Sequence, residues 1–460
     1  MLEFRPPVDI RRSVLLKRSI PYLIVIGLFG LALGFIVNIL DPFIYTEKVR
    51  QIASPFLKNT ILSLITTLAL LVALSAQPLV GRWSDRSQSR WGPRLPFLTG
   101  GVAGLCFSLA LITRADQLWL LIVAAMLASA SSNTVQAAWQ ALIPDQVPQD
   151  QRGTAAAIKT LLEGLGAVAG VTVAGLALAL GILWGAPLAA ITLFVVILLV
   201  TFYTLQSSQD PVGQSHFRDR HSSSTGRLAQ ENSSLTLVRN LAKSTSFRRE
   251  ALPFFWWAIN RILFWSAGIS LRTFILNYLN DAQIVSWAEI ETISNRFIIA
   301  VGAGGLLIII LSGILADRFG RRPLLHVAGL LAGGGTILLI FSRDLNWLLA
   351  AGGVIALGGG IFAGASWALA TDLAPRAKGA LYLGLANGAT VIGSIAGRLG
   401  GPLIDGLNRL NNDQSLGYLA VFSLAALCFL GSSAIVLKIP GENSQGASPA
   451  GRDEISSGRK

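Results

Sequence analysis

This sequence predicts an all-α membrane protein with twelve transmembrane helices arranged as two pseudo-symmetric six-helix bundles. Three observations lead there. Charged residues make up only 13% of the 460 while 52% are hydrophobic, and a soluble domain carries roughly 25% charge. The apolar residues also fall in blocks of about 20 between short basic segments, and a helix of that length spans the roughly 30 Å hydrocarbon core of a bilayer. Finally, loop residues of the first half recur in the second at nearly one offset. A soluble enzyme, a disordered chain and a disulfide scaffold are excluded. Cys106 and Cys428 lie in separate apolar runs without CxxC spacing, which gives neither a metal site nor a redox pair.

Reading apolar blocks between breakers places spans near 20–43, 59–81, 96–114, 118–143, 154–180 and 186–206. A second set lies near 253–279, 292–315, 323–342, 347–371, 379–401 and 417–438. The first run is too long for a signal-peptide core and has no small-residue cleavage pattern after it, so it is a retained span. The chain divides into an N-terminal segment (1–19), a first bundle (20–206), a linker (207–252), a second bundle (253–438) and a tail (439–460). The linker is rich in Ser, Gln, Asn and Arg and holds His216 and His221.

Positive charge sets the orientation. With a cytoplasmic N-terminus, cytoplasmic segments hold 26 Lys and Arg and the opposite loops hold 6. Both termini, the linker and the tail therefore face the cytoplasm, in the inner cell membrane. The net charge of +13 is spread between spans, which suits a lipid surface and not nucleic acid.

The repeat is specific. Gly81-Arg82-Trp83-Ser84-Asp85-Arg86, between spans 2 and 3, matches Gly313-Ile314-Leu315-Ala316-Asp317-Arg318 between spans 8 and 9, 232 positions later. Trp139, Asp145, Pro148 and Gly153 recur as Trp367, Asp372, Pro375 and Gly379, offset by 226 to 228.

These loops resemble the signature of the major facilitator superfamily: a glycine, Asp-Arg, a second glycine and basic residues. The second copy continues into Gly320-Arg321-Arg322. The resemblance implies parallel six-span repeats with a solute site between them near mid-membrane. It further implies a cytoplasmic gate of Gly81, Asp85, Arg86, Arg90, Gly313, Asp317, Arg318 and Arg321, which locks helix ends when the cavity faces outward. The first loop reads D-R-x-x-S-R-W-G-x-R-x-P from Asp85 to Pro96. That form resembles the glycoside–pentoside–hexuronide cation symporters and the sucrose–proton symporters. It departs from them at Pro93-Arg94-Leu95, where a run of three arginines is usual. Melibiose-type sodium symporters carry acids in spans 2 and 4, and this chain has none there. Their sodium site does not carry over.

Ionisable groups inside a span are costly, so each is a functional candidate. Glu163 lies about 15 Å into span 5, with Lys159 one turn earlier on the same face. The pair either exchanges a proton as its surroundings alternate or statically locks the helix. Asp41 in span 1 is either a second coupling acid or a helix end before Pro42. Span 7 presents Arg261, Trp265, Gly268 and Arg272 as one stripe, beginning beside Asn260. Arg261 is expected to face the cavity and pair with a solute anion or with Glu163. Arg272, Arg296 and Arg398 are expected to pair with Asp281, Glu289, Glu291 or Asp405, or to snorkel. Asn133, Gln136 and Gln140 form a polar face on span 4 beside Trp139, suited to hydroxyls and a flat apolar surface or to interhelical hydrogen bonds. Asn38 on span 1 and Asn387 and Thr390 on span 11 complete the expected cavity wall. Gly27, Gly30 and Gly34 on span 1 fit close helix packing.

No HExxH, GxSxG or Walker motif occurs, so neither enzymatic chemistry nor ATP-driven transport is expected. The sequence predicts a monomeric secondary transporter of a small polar, sugar-like solute. It has no cofactor, a proton gradient drives it in preference to sodium, and Glu163 is the coupling acid. The alternatives are an exporter of amphipathic compounds, an organic-anion carrier, and a non-transporting sensor or assembly factor on the same scaffold. Span 5 has Gly166 and Gly170 at GxxxG spacing but lacks the Gly-Pro pair of drug–proton antiporters.

Overall fold

The computed structural model describes residues 18–87, 89, 91–148, 151–207, 245–282, 315, 318–342, 344–373, 379–411 and 415–439. The expected span 8, Arg90, Arg296, Gly313, Asp317, Glu289, Glu291 and most of the linker lie outside them.

Helix α1 (Ile20–Ile39) carries Pro21 in its first turn, where its fixed φ suits the helix and its missing N–H would have no partner. It does not end at Asp41-Pro42. The chain passes through one π-helical turn, Leu40–Ile44, into α2 (Tyr45–Ile52). A widened turn accommodates the proline without stopping the helix. Helices α3 (Lys58–Arg86), α4 (Leu95–Arg114), α5 (Leu118–Gln146), α6 (Arg152–Ala179) and α7 (Gly185–Ser207) complete the first bundle. The second holds α8 (Thr245–Asp281), α9 (Arg321–Phe341), α10 (Leu345–Leu373), α11 (Gly379–Arg398), α12 (Gly400–Asn411) and α13 (Leu416–Val436). Helix α8 begins within the expected linker, ahead of position 253.

Among the described residues, ten helices are long and apolar enough to cross a membrane. The glycine-rich α11, at the position of span 11, is not one of them. In-span residues such as Leu71, Phe107, Leu199, Leu424 and Leu427 are exposed. Apolar surface on this scale belongs in lipid. Each bundle has its own core. Phe29, Phe35, Leu105 and Phe194 centre the first, and Phe264, Phe362, Phe422 and Phe429 centre the second. Phe264 stacks on Phe362 with ring centroids 3.7 Å apart.

The packing repeats as the sequence does. α1 packs on α6 as α8 packs on α11, and α4 on α5 as α9 on α10. Small residues allow the close approach. A side chain at Gly34 would run into the Glu163 carbonyl, one at Gly166 into Leu31, and one at Gly397 into Ser266. The duplicated loop also keeps its shape: Gly92 has φ +86° and Gly320 φ +83°. Only glycine holds that left-handed conformation without steric cost. Each turn is followed within two residues by a buried or half-buried arginine, Arg94 or Arg321.

Candidate functional site

The two bundles meet at one end. Every hydrogen bond and ion pair between described residues of opposite bundles lies at the face away from the termini, where α1 ends, α3 begins, and α8 and α11 end. Asp41 Oδ2 stands 3.2 Å from Arg398 Nη2 and 4.0 Å from Arg272 Nε. Arg272 also donates to the Val37 carbonyl. Lys58 pairs with Asp281 at 2.5 Å, and Tyr418 donates to the other Asp281 oxygen. Asn59 is almost fully buried; it donates to Asp405 and Tyr418 and accepts from Asn277. The Thr60 amide and hydroxyl cap Asp405, and Ser63 donates to the Arg398 carbonyl. We call this the seam.

The seam corrects several sequence expectations. Arg272 and Arg398 turn to Asp41 of the other bundle and not to Asp281 or Asp405, which already serve Lys58, Tyr418, Asn59 and Thr60. Asp41 therefore bridges the bundles. Asn59 is separated from Asn277, Asp405 and Tyr418 by 218, 346 and 359 residues, which leaves no local sequence pattern to point to them.

At the terminus-bearing face the pairs between described residues stay within a bundle. Arg94 reaches Asp85 at 2.7 Å and Asp145 at 2.9 Å, and bonds the Ser84 hydroxyl. The matching Arg321 pairs with Asp372 and donates to the Ala368 carbonyl. Arg94 was not among the expected gate residues. Its offset of 227 from Arg321 equals that of Asp145 from Asp372, and this was the signal. Gly81 lies in open space. Arg86 closes α3 as its last residue, and Arg318 stacks near the Phe319 ring.

Between these faces stand the in-span polar groups. Lys159 Nζ lies 3.7 Å from Glu163 Oε1, both half-buried, and 4.9 Å from the Trp139 ring. Trp139 does not line a cavity: it is fully buried, and its indole N–H donates to the Ile26 carbonyl at 2.6 Å. Gly30, opposite both Trp139 and Glu163, leaves the space for it. Gln140 accepts weakly from Gln77 at 3.4 Å, while Asn133 and Asn38 bond their own helices at Ser129 and Gly34. Gln136 is half-buried.

In the second bundle Asn260 also departs from expectation. It is fully buried and donates to the Ser432 carbonyl and hydroxyl, so it ties α8 to α13. Arg261 does not pair with Glu163. Its Nε donates to Thr390 at 2.7 Å and its Nη1 to Ser366 at 3.0 Å. The guanidinium carbon lies 5.4, 5.9 and 5.1 Å from the rings of Trp257, Trp265 and Trp367. Asn387 is exposed one turn from Thr390.

Duplicated helix bundles, a lipid-suited surface and matched loops define a multi-pass membrane protein of the kind that carries solutes. The chain belongs to the Major Facilitator Superfamily, whose family model matches residues 22–288 and 258–458. It is 31% identical over 159 residues to the minor myo-inositol transporter of Bacillus subtilis (strain 168), covering 35% of this chain and 34% of that protein. It is 28% identical over 164 residues to a sucrose transport protein of Arabidopsis thaliana, covering 31% and 26%. These alignments thus span about a third or less of each relative. Its fold resembles a D-xylose–proton symporter (TM-score 0.67, 13% identity, 91% and 97% of the two chains). It also resembles a bacterial homolog of the human lysosomal transporter Spinster in an inward-facing, occupied conformation (TM-score 0.66, 14% identity, 91% and 95%).

Proposed function

We propose that this protein is a secondary active transporter that moves a small, sugar-like polar solute by alternating access, coupled to protons through Glu163. The carrying observation is the one-sided seam. Two bundles tied to each other by side-chain bonds at one face, while Arg94–Asp145 and Arg321–Asp372 at the other each close within a bundle, have the form of a carrier shut at the seam. The excess of positive charge on the terminus-bearing face supports a cytoplasmic position for it in the inner membrane, and in that orientation this conformation opens inward.

The half-buried Gln77, Gln136 and Gln140 supply hydroxyl-binding groups on the first bundle, and Trp367 a flat apolar face on the second. The inositol- and sucrose-transporting relatives point to the same solute class. Glu163 stands against Gly30 of α1, with Lys159 as its ion-pair partner among the described residues. Rocking the bundles changes how much water reaches this pair, and with it the relative stability of the protonated carboxyl.

Uptake into proteoliposomes with an imposed pH gradient tests the reading. The inside-alkaline gradient is expected to drive accumulation of myo-inositol or sucrose, and Glu163→Gln to abolish accumulation while leaving solute exchange. Accumulation that ignores the gradient, or a Glu163→Gln protein that still concentrates solute, would remove the proton coupling.

A further inference from the structure

We propose that the solute carries an anionic group, a carboxylate or a phosphoryl group, and that Arg261 reads it from the second bundle with help from Asn387. This rests on the transport reading above and names the chemistry of its substrate.

The geometry starts from the seam. Arg272 lies on the face of α8 that meets the first bundle, because it donates to the Val37 carbonyl and approaches Asp41. Arg261 is eleven residues earlier, three turns along the same face and about 16 Å toward the open mouth. Arg398 marks the corresponding face of α11 through its bond to Asp41. Asn387 is likewise eleven residues earlier. Two independent helices therefore bring Arg261 and Asn387 to the same depth on the wall that faces the other bundle. The Arg261–Thr390 bond, one turn from Asn387, holds those two helices together at that level.

The charge argument is separate. Lys159 and Glu163 neutralise one another, and Asp41 serves both Arg272 and Arg398. Arg261 forms no ion pair among the described residues. A charge inside a membrane without a counter-charge is expensive, and such a charge persists where a ligand supplies the partner. Three tryptophan rings stabilise the cation but accept no in-plane hydrogen bond from it. Of the five N–H groups of a guanidinium, Thr390 and Ser366 take one each. These two bonds fix the fork and leave N–H groups for a bidentate acceptor, the geometry that selects carboxylate or phosphate. A second observation points to the same occupant. The indole N–H of Trp265, one turn from Arg261, is buried with no acceptor among the described residues. Trp367, beside the guanidinium and partly exposed, offers a face for an apolar or sugar-ring surface.

The test uses purified full-length protein and three probes that share one ring: glucose, glucuronate and glucose 6-phosphate. Thermal shift and competition for uptake into proteoliposomes read binding. One of the two anions is expected to bind at least about tenfold more tightly than glucose, the size of one hydrogen bond to a charged group; which one separates the carboxylate from the phosphoryl class. Arg261→Gln is expected to erase that preference, and Asn387→Leu to reduce it several-fold. Should Arg261→Gln fail to fold, Arg261→Lys keeps the charge without the fork and is expected to lower the preference for the anion. Glucose binding as tightly as both anions overturns the inference and leaves the sugar-transport reading intact. So does an anion preference unchanged in every variant. Binding of none of the three overturns the anion site, and the sugar-transport reading falls with it when myo-inositol and sucrose also fail to bind.

Discussion

The two ends of the molecule are held by different kinds of contact. At the terminus-bearing face, Arg94–Asp145 and Arg321–Asp372 are copies of one arrangement, each closed within its own bundle. At the seam each pair between described residues stands singly: Asp41 bridges to Arg398, Lys58 to Asp281 and Asn59 to Asp405. Within-bundle pairs inherit the gene-level repeat because each bundle folds the same way. The repeated pairs tie helices within a bundle, and the single ones tie the two bundles to each other.

Substitutions along the seam are expected to have the largest effect. Asp41→Asn leaves two poorly exposed arginines without their counter-charge, at a cost of about 3–5 kcal/mol, read as a lower melting temperature or as opening of the seam. Asp145→Asn comes next. Arg94 and Asp145 have side-chain exposures of 10% and 11%, so loss of the carboxylate costs about 3 kcal/mol in thermal unfolding, without moving the seam. Asn59→Leu removes three buried hydrogen bonds across the bundles and leaves Asp405 and Asn277 short of partners, about 1–3 kcal/mol. Its readout is faster labelling of a cysteine placed at the Ser63 position. The smallest effect sharpens the comparison between the repeats. Asp372 is 45% exposed, so Asp372→Asn is expected to cost less than about 1 kcal/mol, far below its twin at Asp145.

The fold was legible because bilayer thickness imposes a block length and charge asymmetry imposes an order. The loop repeat was equally plain, down to Gly92 and Gly320 and the acids at Asp145 and Asp372. Individual side-chain directions were not. Trp139 and Asn260 read as cavity residues because a polar or aromatic group in a span reads the same whether it faces a gap or a neighbouring helix. Their partners, the Ile26 carbonyl and Ser432, lie on helices distant in sequence. The stripe of Arg261 and Arg272 was visible by its spacing, yet the acid that Arg272 meets was not, because Asp41 is 231 residues away. The seam as a whole depends on how two unlike surfaces dock, and a single sequence does not carry that.

The central claim is that the bundles rock reciprocally about the level of Glu163 and Arg261. Distances between paired spin labels at both faces test it most directly. One pair sits at the exposed Phe56 and Leu410 beside the seam, the other at the exposed Trp83 and Phe319 at the terminus-bearing face. Comparing an otherwise unaltered protein with one carrying Asp41→Asn, the account predicts that the first distance lengthens while the second shortens. Two distances that lengthen together, or a seam that opens while the other mouth stays fixed, would contradict it.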